Sequence, residues 1–187
     1  MSAGLTPFAS AFGLWWYFLD IWGDEYPHVI SSCTTIGSVF YSTRLNHKQI
    51  DEVIGVCKIY ETRITNTFFD EISYELSEKY REIGKEYSVT TKQPKKIGWL
   101  DLDLLKEAID VNGVDTLILT KTEIPPQVGT LKIKTAEDFW EIKDFWSSVN
   151  EKPLLDLLNR IKNYTGVKNI AYSFSEKPED IKHICNK

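Results

Sequence analysis

The sequence has few of the residues that build metal sites or disulfide frameworks. Its 187 residues include only three cysteines and three histidines. The cysteines, Cys33, Cys57 and Cys185, lie far apart and form no CxxC pair, and the histidines are equally scattered. We therefore predict no metal site, no disulfide and a reducing, cytoplasmic setting.

The chain also lacks the positive charge that non-specific nucleic-acid binding requires. Its formal net charge is −5 and its sequence pI is about 5.3. Lys92, Lys95 and Lys96 form one small basic cluster, which is typical of a solvated loop. We expect no nucleic-acid partner.

We expect neither a signal peptide nor a spanning helix in the strongly aromatic stretch near the beginning of the sequence. Residues 8–22 are FASAFGLWWYFLDIW, without a basic n-region or a clear cleavage site, and too short to span a bilayer. We expect no membrane partner. Residues 1–18 form a divergent aromatic segment, and residues 8–22 are either a buried strand with its lead-in or an exposed interface.

The remaining composition is that of a single globular domain. Hydrophobic residues make up 42% of the chain and charged residues 26%, with no repeat, linker or low-complexity tract. We treat residues 1–187 as one domain.

Helical and strand patterns alternate along the chain, which indicates an α/β fold. Asp101 is a predicted N-cap of a helix that ends at Asn112-Gly113, and 114–119 is a buried strand. This strand delivers residues 120–123 to its carboxyl end, where open α/β sheets usually bind ligands. Further strands are predicted at 26–32, 53–64, 128–134 (an edge strand) and 167–174, and helices at 69–87, 136–149, from 153 onward and at 178–185. The predicted architecture is a central, mostly parallel or mixed sheet flanked by helices.

Four motifs, which keep their relative order along the chain, match the motifs of one known family. Gly98 to Glu123, GWLDLDLLKEAIDVNGVDTLILTKTE, resembles GWLDLVxLRYAxxxNGxTxLxLTKLD of the adenylosuccinate synthetases. Tyr26 to Ser32 resembles YPFVTSS, Asp51 to Arg63 is similar to DxVxGxxKAYxTR, and Ser175 to Pro178 keeps the first and last letters of STGP. The resemblance covers only the C-terminal half or so of a complete synthetase.

The resemblance implies a guanine-nucleotide site at the end of the predicted strand. In the family, the Lys and Asp of TKLD and the Ser of STGP contact the guanine base. The matching residues here are Lys121, Glu123 and Ser175, with Glu123 in place of Asp and Lys177 in place of the glycine. The alternative, that residues 120–123 are retained only as scaffold, stays open.

The loop that binds aspartate in the family is degenerate in this chain. The family has TTGRxRRxGW, whereas residues 90–99 are TTKQPKKIGW. Thr90 and Thr91 match, but Gln93 and Lys95 replace two arginines and Lys92 replaces a glycine. Neither glutamine nor lysine offers the charged, bidentate fork of arginine.

The family's catalytic motifs have no counterpart in the sequence. Its WGDEGKGK loop supplies an Asp that acts as base and magnesium ligand, and a catalytic His follows. Residues 22–25 are WGDE, but YPHV follows them, so Asp24 is predicted to be a turn carboxylate. We assign no catalytic residue.

These observations predict a truncated, catalytically inactive synthetase-like protein that acts by binding. Its ligand would be a purine nucleotide or a protein, either a second copy in a homo-oligomer or a complete synthetase. The alternative is a divergent synthetase subunit that joins IMP and aspartate with a partner supplying the missing half. We expect no cofactor for the chain on its own. GTP and magnesium would be cofactors only under the alternative, in which synthetase activity survives.

Overall fold

The computed structural model describes residues 36–37, 46–64, 70–88, 91–175 and 180–184. The aromatic segment 1–18, Asp24 and the predicted strand 26–32 lie outside these ranges. The strands are β1 (Ile54–Lys58), β2 (Tyr60–Arg63), β3 (Lys96–Asp101), β4 (Thr116–Thr120), β5 (Leu131–Lys134), β6 (Phe139–Ile142), β7 (Asn169–Ser173) and β8 (Ile181–His183). The helices are α1 (Tyr74–Gly84), α2 (Leu102–Asn112), α3 (Ile124–Val128) and α4 (Lys152–Thr165).

Sheet 1 has the strand order β1-β4-β7-β8. The first three strands are parallel, and β8 runs antiparallel to β7. Leu117 and Leu119 of the central strand β4 are fully buried, and Ile170 of β7 is almost so. The aliphatic composition of β4 therefore reflects burial on the inside of the fold, as predicted.

Sheet 2 has the order β2-β3-β5-β6, with a parallel β3–β5 pair between two antiparallel pairs. The α/β class with mixed sheets flanked by helices is confirmed, but the strands form two sheets rather than one. The predicted single strand 53–64 is wrong, because the chain bends at Ile59 and passes from sheet 1 into sheet 2. The Ile59 amide donates to the Thr120 carbonyl at 3.1 Å, which fixes the bend beside β4.

The helix predicted over 136–149 is also wrong, because residues 139–142 form β6. β5 and β6 are a hairpin that pairs Leu131 with Ile142 and Lys134 with Phe139. The Thr135 hydroxyl donates to the Asp138 carbonyl at 2.7 Å and closes the turn. Aromatic residues favour strands, and the cross-strand bonds outweigh their helix-like spacing.

Two smaller predictions are corrected by the sheet order. β5 was predicted at an edge, but it lies between β3 and β6. A helix was predicted over 178–185, but the described residues 181–183 form β8 against β7. Both errors have one cause, since the position of a strand depends on partners distant in sequence.

Helix α2 has the boundaries that its sequence predicts. The Asp101 carboxylate accepts hydrogen bonds from the amides of Asp103 (3.1 Å) and Leu104 (3.2 Å). Gly113 ends the helix in the left-handed conformation, with φ 62°. β4 follows three residues later, so these caps set where the strand begins.

Candidate functional site

The candidate site is the carboxyl edge of sheet 1. β1, β4 and β7 are parallel neighbours that end at Lys58, Thr120 and Ser173. The three segments that follow these strands consequently leave the sheet at the same edge. Ligands of open α/β sheets bind at such edges.

The structure brings the segments carrying all three predicted base-binding residues to this edge. Lys121 follows β4 with φ 61°, Glu123 is the N-cap residue of α3, and Ser175 lies two residues beyond β7. The buried Thr122 hydroxyl donates to the Ser173 carbonyl at 2.8 Å. This bond ties the segment after β4 to the segment after β7.

Further hydrogen bonds hold both segments in place. The indole Nε1 of the buried Trp146 donates to the Thr122 carbonyl at 2.8 Å. The Ser173 hydroxyl donates to the Ser175 carbonyl at 2.6 Å, and the Ser175 hydroxyl contacts the Asp180 carboxylate. The edge is therefore built from fixed backbone.

A buried ionic cluster, which we call the Glu86 network, lies at the β1 end of the same edge. It consists of Lys58, Tyr60, Glu86 and Lys95, and the Glu86 side chain is only 2% exposed. Lys58 Nζ lies 2.7 Å from both Glu86 carboxylate oxygens, and Lys95 Nζ lies 3.0 Å from Oε2. The Tyr60 hydroxyl donates to Oε1 at 2.9 Å. Glu86 is thus satisfied by three donors.

The ionisation of the network follows from burial and pairing. Burial alone would raise the pKa of Glu86, but Lys58 and Lys95 outweigh it and hold that pKa below its ordinary value. Burial lowers the pKa of Lys58 despite the opposing Glu86 charge, and the charges of Lys95 and Lys121 lower it further. Lys121 is therefore close enough for its charge to act on the network.

The end of helix α1 connects the network to Lys121. The Lys121 ammonium donates to the Gly84 carbonyl at 3.4 Å. A Cβ on Gly84 would lie 2.7 Å from the Tyr60 hydroxyl oxygen, so only glycine fits without a shift. Sequence reasoning missed Lys58, Tyr60, Gly84 and Glu86. The signal that could have found them is Lys58, because a lysine in a buried strand requires a counter-charge nearby.

The degenerate loop is closed by its own backbone. The Ser88 amide donates to the Gln93 carbonyl at 2.8 Å, and the Thr91 amide donates to the Ser88 hydroxyl at 3.1 Å. Lys92, which replaces the family's glycine, has φ 57°, a conformation that favours glycine. Gln93 is exposed, while Lys95 is held by Glu86. Thr90 lies outside the described residues.

Two further findings on the described residues concern metal ligands and membrane-spanning helices. No group of three or more His, Cys, Asp or Glu side chains among them is placed to hold a metal ion. No helix in the described ranges combines the length and apolar composition needed to cross a membrane.

Comparison with known proteins gives consistent matches. A family model described as adenylosuccinate synthetase matches residues 13–176. The adenylosuccinate synthetase of Thermus thermophilus is 34% identical over 186 residues, covering 87% of this chain and 45% of that protein. The Plasmodium vivax enzyme is 41% identical over 107 residues, covering 57% of this chain and 24% of that protein.

A solved structure supports the fold. The fully ligated adenylosuccinate synthetase of Plasmodium falciparum has a TM-score of 0.66 at 24% identity, over 83% of this chain and 45% of that one. At this identity the likeness concerns the fold alone. The chain spans less than half the length of these full-length relatives.

Proposed function

This chain belongs to the adenylosuccinate synthetase family, and we propose that it binds the base of a guanine nucleotide at the carboxyl edge of sheet 1. Lys121, Glu123 and Ser175 contact the base, and the chain does not complete the synthetase reaction on its own. The observation that supports this proposal is the Thr122–Ser173 hydrogen bond, which joins the two segments that carry these residues.

The chemistry of the three side chains suits guanine. An ionised carboxylate accepts hydrogen bonds at two oxygens, and guanine presents two neighbouring N–H donors on its Watson–Crick edge. Adenine presents an acceptor at the corresponding ring nitrogen, so a carboxylate disfavours it. Glu123 is one methylene longer than the family's aspartate and keeps this selectivity.

The degenerate loop supports the proposal that the chain alone does not complete the synthetase reaction. Lys95, which replaces an arginine of the family's aspartate loop, is 3.0 Å from the buried Glu86 carboxylate. A carboxylate substrate would have to compete with that contact, and Gln93 carries no charge to assist it.

The base site is tested by calorimetry of the 187-residue chain with GTP, ATP and IMP. Base contacts without a phosphate cradle predict a Kd for GTP of roughly tens of micromolar to millimolar, or about 4–6 kcal/mol. We expect Glu123→Ala to weaken GTP binding about tenfold or more, since it removes the charged acceptor.

Glu137→Ala is the matched control, because Glu137 is an exposed carboxylate in the β5–β6 turn. It should leave the Kd for GTP unchanged. Equal binding of GTP and ATP, or GTP binding that survives Glu123→Ala, would refute the site.

A further inference from the structure

Helix α1 ends against the candidate site, and its last carbonyl group accepts a hydrogen bond from a cation. Lys85 caps the helix in the left-handed conformation, with φ 53°. The preceding Gly84 carbonyl accepts from Lys121 Nζ at 3.4 Å. The C-terminus of a helix carries partial negative charge, which favours an ammonium group.

Gly84 is at a point where the helix end and strand β2 approach closely. A Cβ there would lie 2.7 Å from the Tyr60 hydroxyl oxygen and 3.3 Å from Glu86 Cγ. Tyr60 cannot retreat easily, because it is 1% exposed and its ring packs edge-on against Tyr80 at 4.8 Å between centroids. Gly84 therefore sets the separation between the helix end and the sheet.

The Glu86 network holds the next residues of the same turn. Lys58, Lys95 and Tyr60 all contact the Glu86 carboxylate. The Glu86 amide donates to the Arg81 carbonyl at 3.0 Å, and its own carbonyl accepts from the Lys95 amide at 3.0 Å. The turn is thus fixed through both its side chain and its backbone.

We propose that the C-terminal turn of α1, Gly84 to Glu86, positions Lys121 for the nucleotide, with Gly84 as the positioning residue. This inference rests on the proposed function for its effect on binding. Lysine has a long, flexible side chain, and a ligand that must order it loses affinity. The Gly84 carbonyl orders the ammonium before the nucleotide arrives.

The inference predicts a specific pattern in a double-mutant experiment. Gly84→Ala places a methyl group against the Tyr60 hydroxyl and displaces the turn. We expect the Kd for GTP to rise about fivefold, which corresponds to about 1 kcal/mol. In the Tyr60→Phe background the obstructing oxygen is gone, so Gly84→Ala should change the Kd by less than about twofold.

Glu82→Ala is the matched control, since Glu82 is exposed on the same helix. It should leave the Kd unchanged, and circular dichroism of every variant checks the fold. A purely structural role for Gly84 would lower stability without altering the preference for GTP over ATP. The GTP-to-ATP ratio is therefore measured for each variant.

A second readout follows Lys121 without any nucleotide. In protein carrying ¹³C-labelled lysine, the Lys121 Cε signal is assigned by its loss in Lys121→Arg. Gly84→Ala should move this signal, and the Tyr60→Phe background should return it towards the position seen without the alanine. An unmoved signal, or an equal effect of Gly84→Ala in both backgrounds, would overturn the inference.

The two proposals fail in distinguishable ways. If the unaltered chain does not bind GTP, the proposed function is wrong, and the Lys121 signal alone decides whether the turn positions the lysine. If GTP binds but Gly84→Ala changes neither Kd nor signal, the base site stands and the positioning role is rejected.

Discussion

Glu61 is a buried acid on β2 beside another carboxylate, and its environment makes it sensitive to pH. Only 9% of the residue is exposed, and its Oε1 accepts from the Asp101 amide at 3.3 Å. Burial raises the pKa of Glu61 from 4.5 to about 7, the Asp101 amide opposes this rise, and the Asp101 charge adds to it. The acid is therefore easier to bury protonated than ionised.

The raised pKa determines the sign of the pH dependence. Between about pH 4.5 and 7 the folded protein keeps a proton on Glu61 that the unfolded chain has lost. The stability associated with this proton is fully present below that window and is lost as the pH rises through it.

We expect Glu61→Gln to remove the loss of stability that accompanies rising pH, because glutamine does not ionise. At pH 8 the free energy of unfolding should rise by about 1–3 kcal/mol, since one pKa unit corresponds to about 1.4 kcal/mol. Urea unfolding at pH 5 to 8 measures it, with Glu137→Gln as an exposed control. Parallel pH profiles for the unaltered chain and Glu61→Gln would contradict the assignment.

At the scale of elements, helix α2 is held at its beginning by one side chain with two roles. Asp101 caps the helix, and its Oδ2 lies 3.1 Å from Lys134 Nζ on β5. The cap orders the helix locally, whereas the ion pair links it to sheet 2. The Lys134 side chain is 39% exposed while that of Asp101 is 13% exposed, so water screens the lysine end of the pair and we expect the cap to dominate.

Two substitutions separate these roles. Asp101→Ala removes both and should lower the free energy of unfolding by about 1–2 kcal/mol. Asp101→Asn retains a capping oxygen and should lose only a small part of that. The control is Asp110→Asn, which alters an exposed pair with Lys106 on the same helix. An equal loss for Asp101→Ala and Asp101→Asn would show that the ion pair, not the cap, carries the effect.

At the scale of the whole molecule, the chain combines a family fold with less than half of its relatives' length. The two sheets share one core, which the helices complete. A fold of this class does not by itself establish an activity, because activity depends on the side chains at the site. Association with a second copy or with a complete synthetase, as expected from the sequence, stays a prediction.

We expect the 187-residue chain alone to form no adenylosuccinate from IMP, GTP, aspartate and magnesium. Phosphoryl transfer depends on positioned positive charge and metal, and the sequence has no match to the family's glycine-rich loop or catalytic His. In addition, Gln93 and Lys95 replace two arginines of the family's aspartate loop. A coupled assay at high protein concentration measures it, with a complete synthetase as positive control. If the chain alone formed adenylosuccinate, and Lys121→Ala abolished this activity, the expectation would be contradicted. Activity that appears only when a partner is added would favour the subunit alternative.

Signals local in the sequence determined helix α2 and strand β4. The Asp101 cap, the Gly113 stop and the aliphatic run after it all act within a few residues, so their effects do not depend on the rest of the chain. The same run placed Lys121 and Glu123 at the end of a buried strand, where the structure has them. The resemblance supplied their proposed chemistry, which stays a prediction.

Only the tertiary structure decided the division into two sheets, the β5–β6 hairpin and the Glu86 network. The spacing of Phe139 to Ile142 suits a helix until β5 supplies cross-strand hydrogen bonds. Lys58 and Glu86 are 28 residues apart, and nothing local requires them to meet. Pairing of this kind depends on which strands become neighbours, because the free energy comes from removing several distant groups from water together.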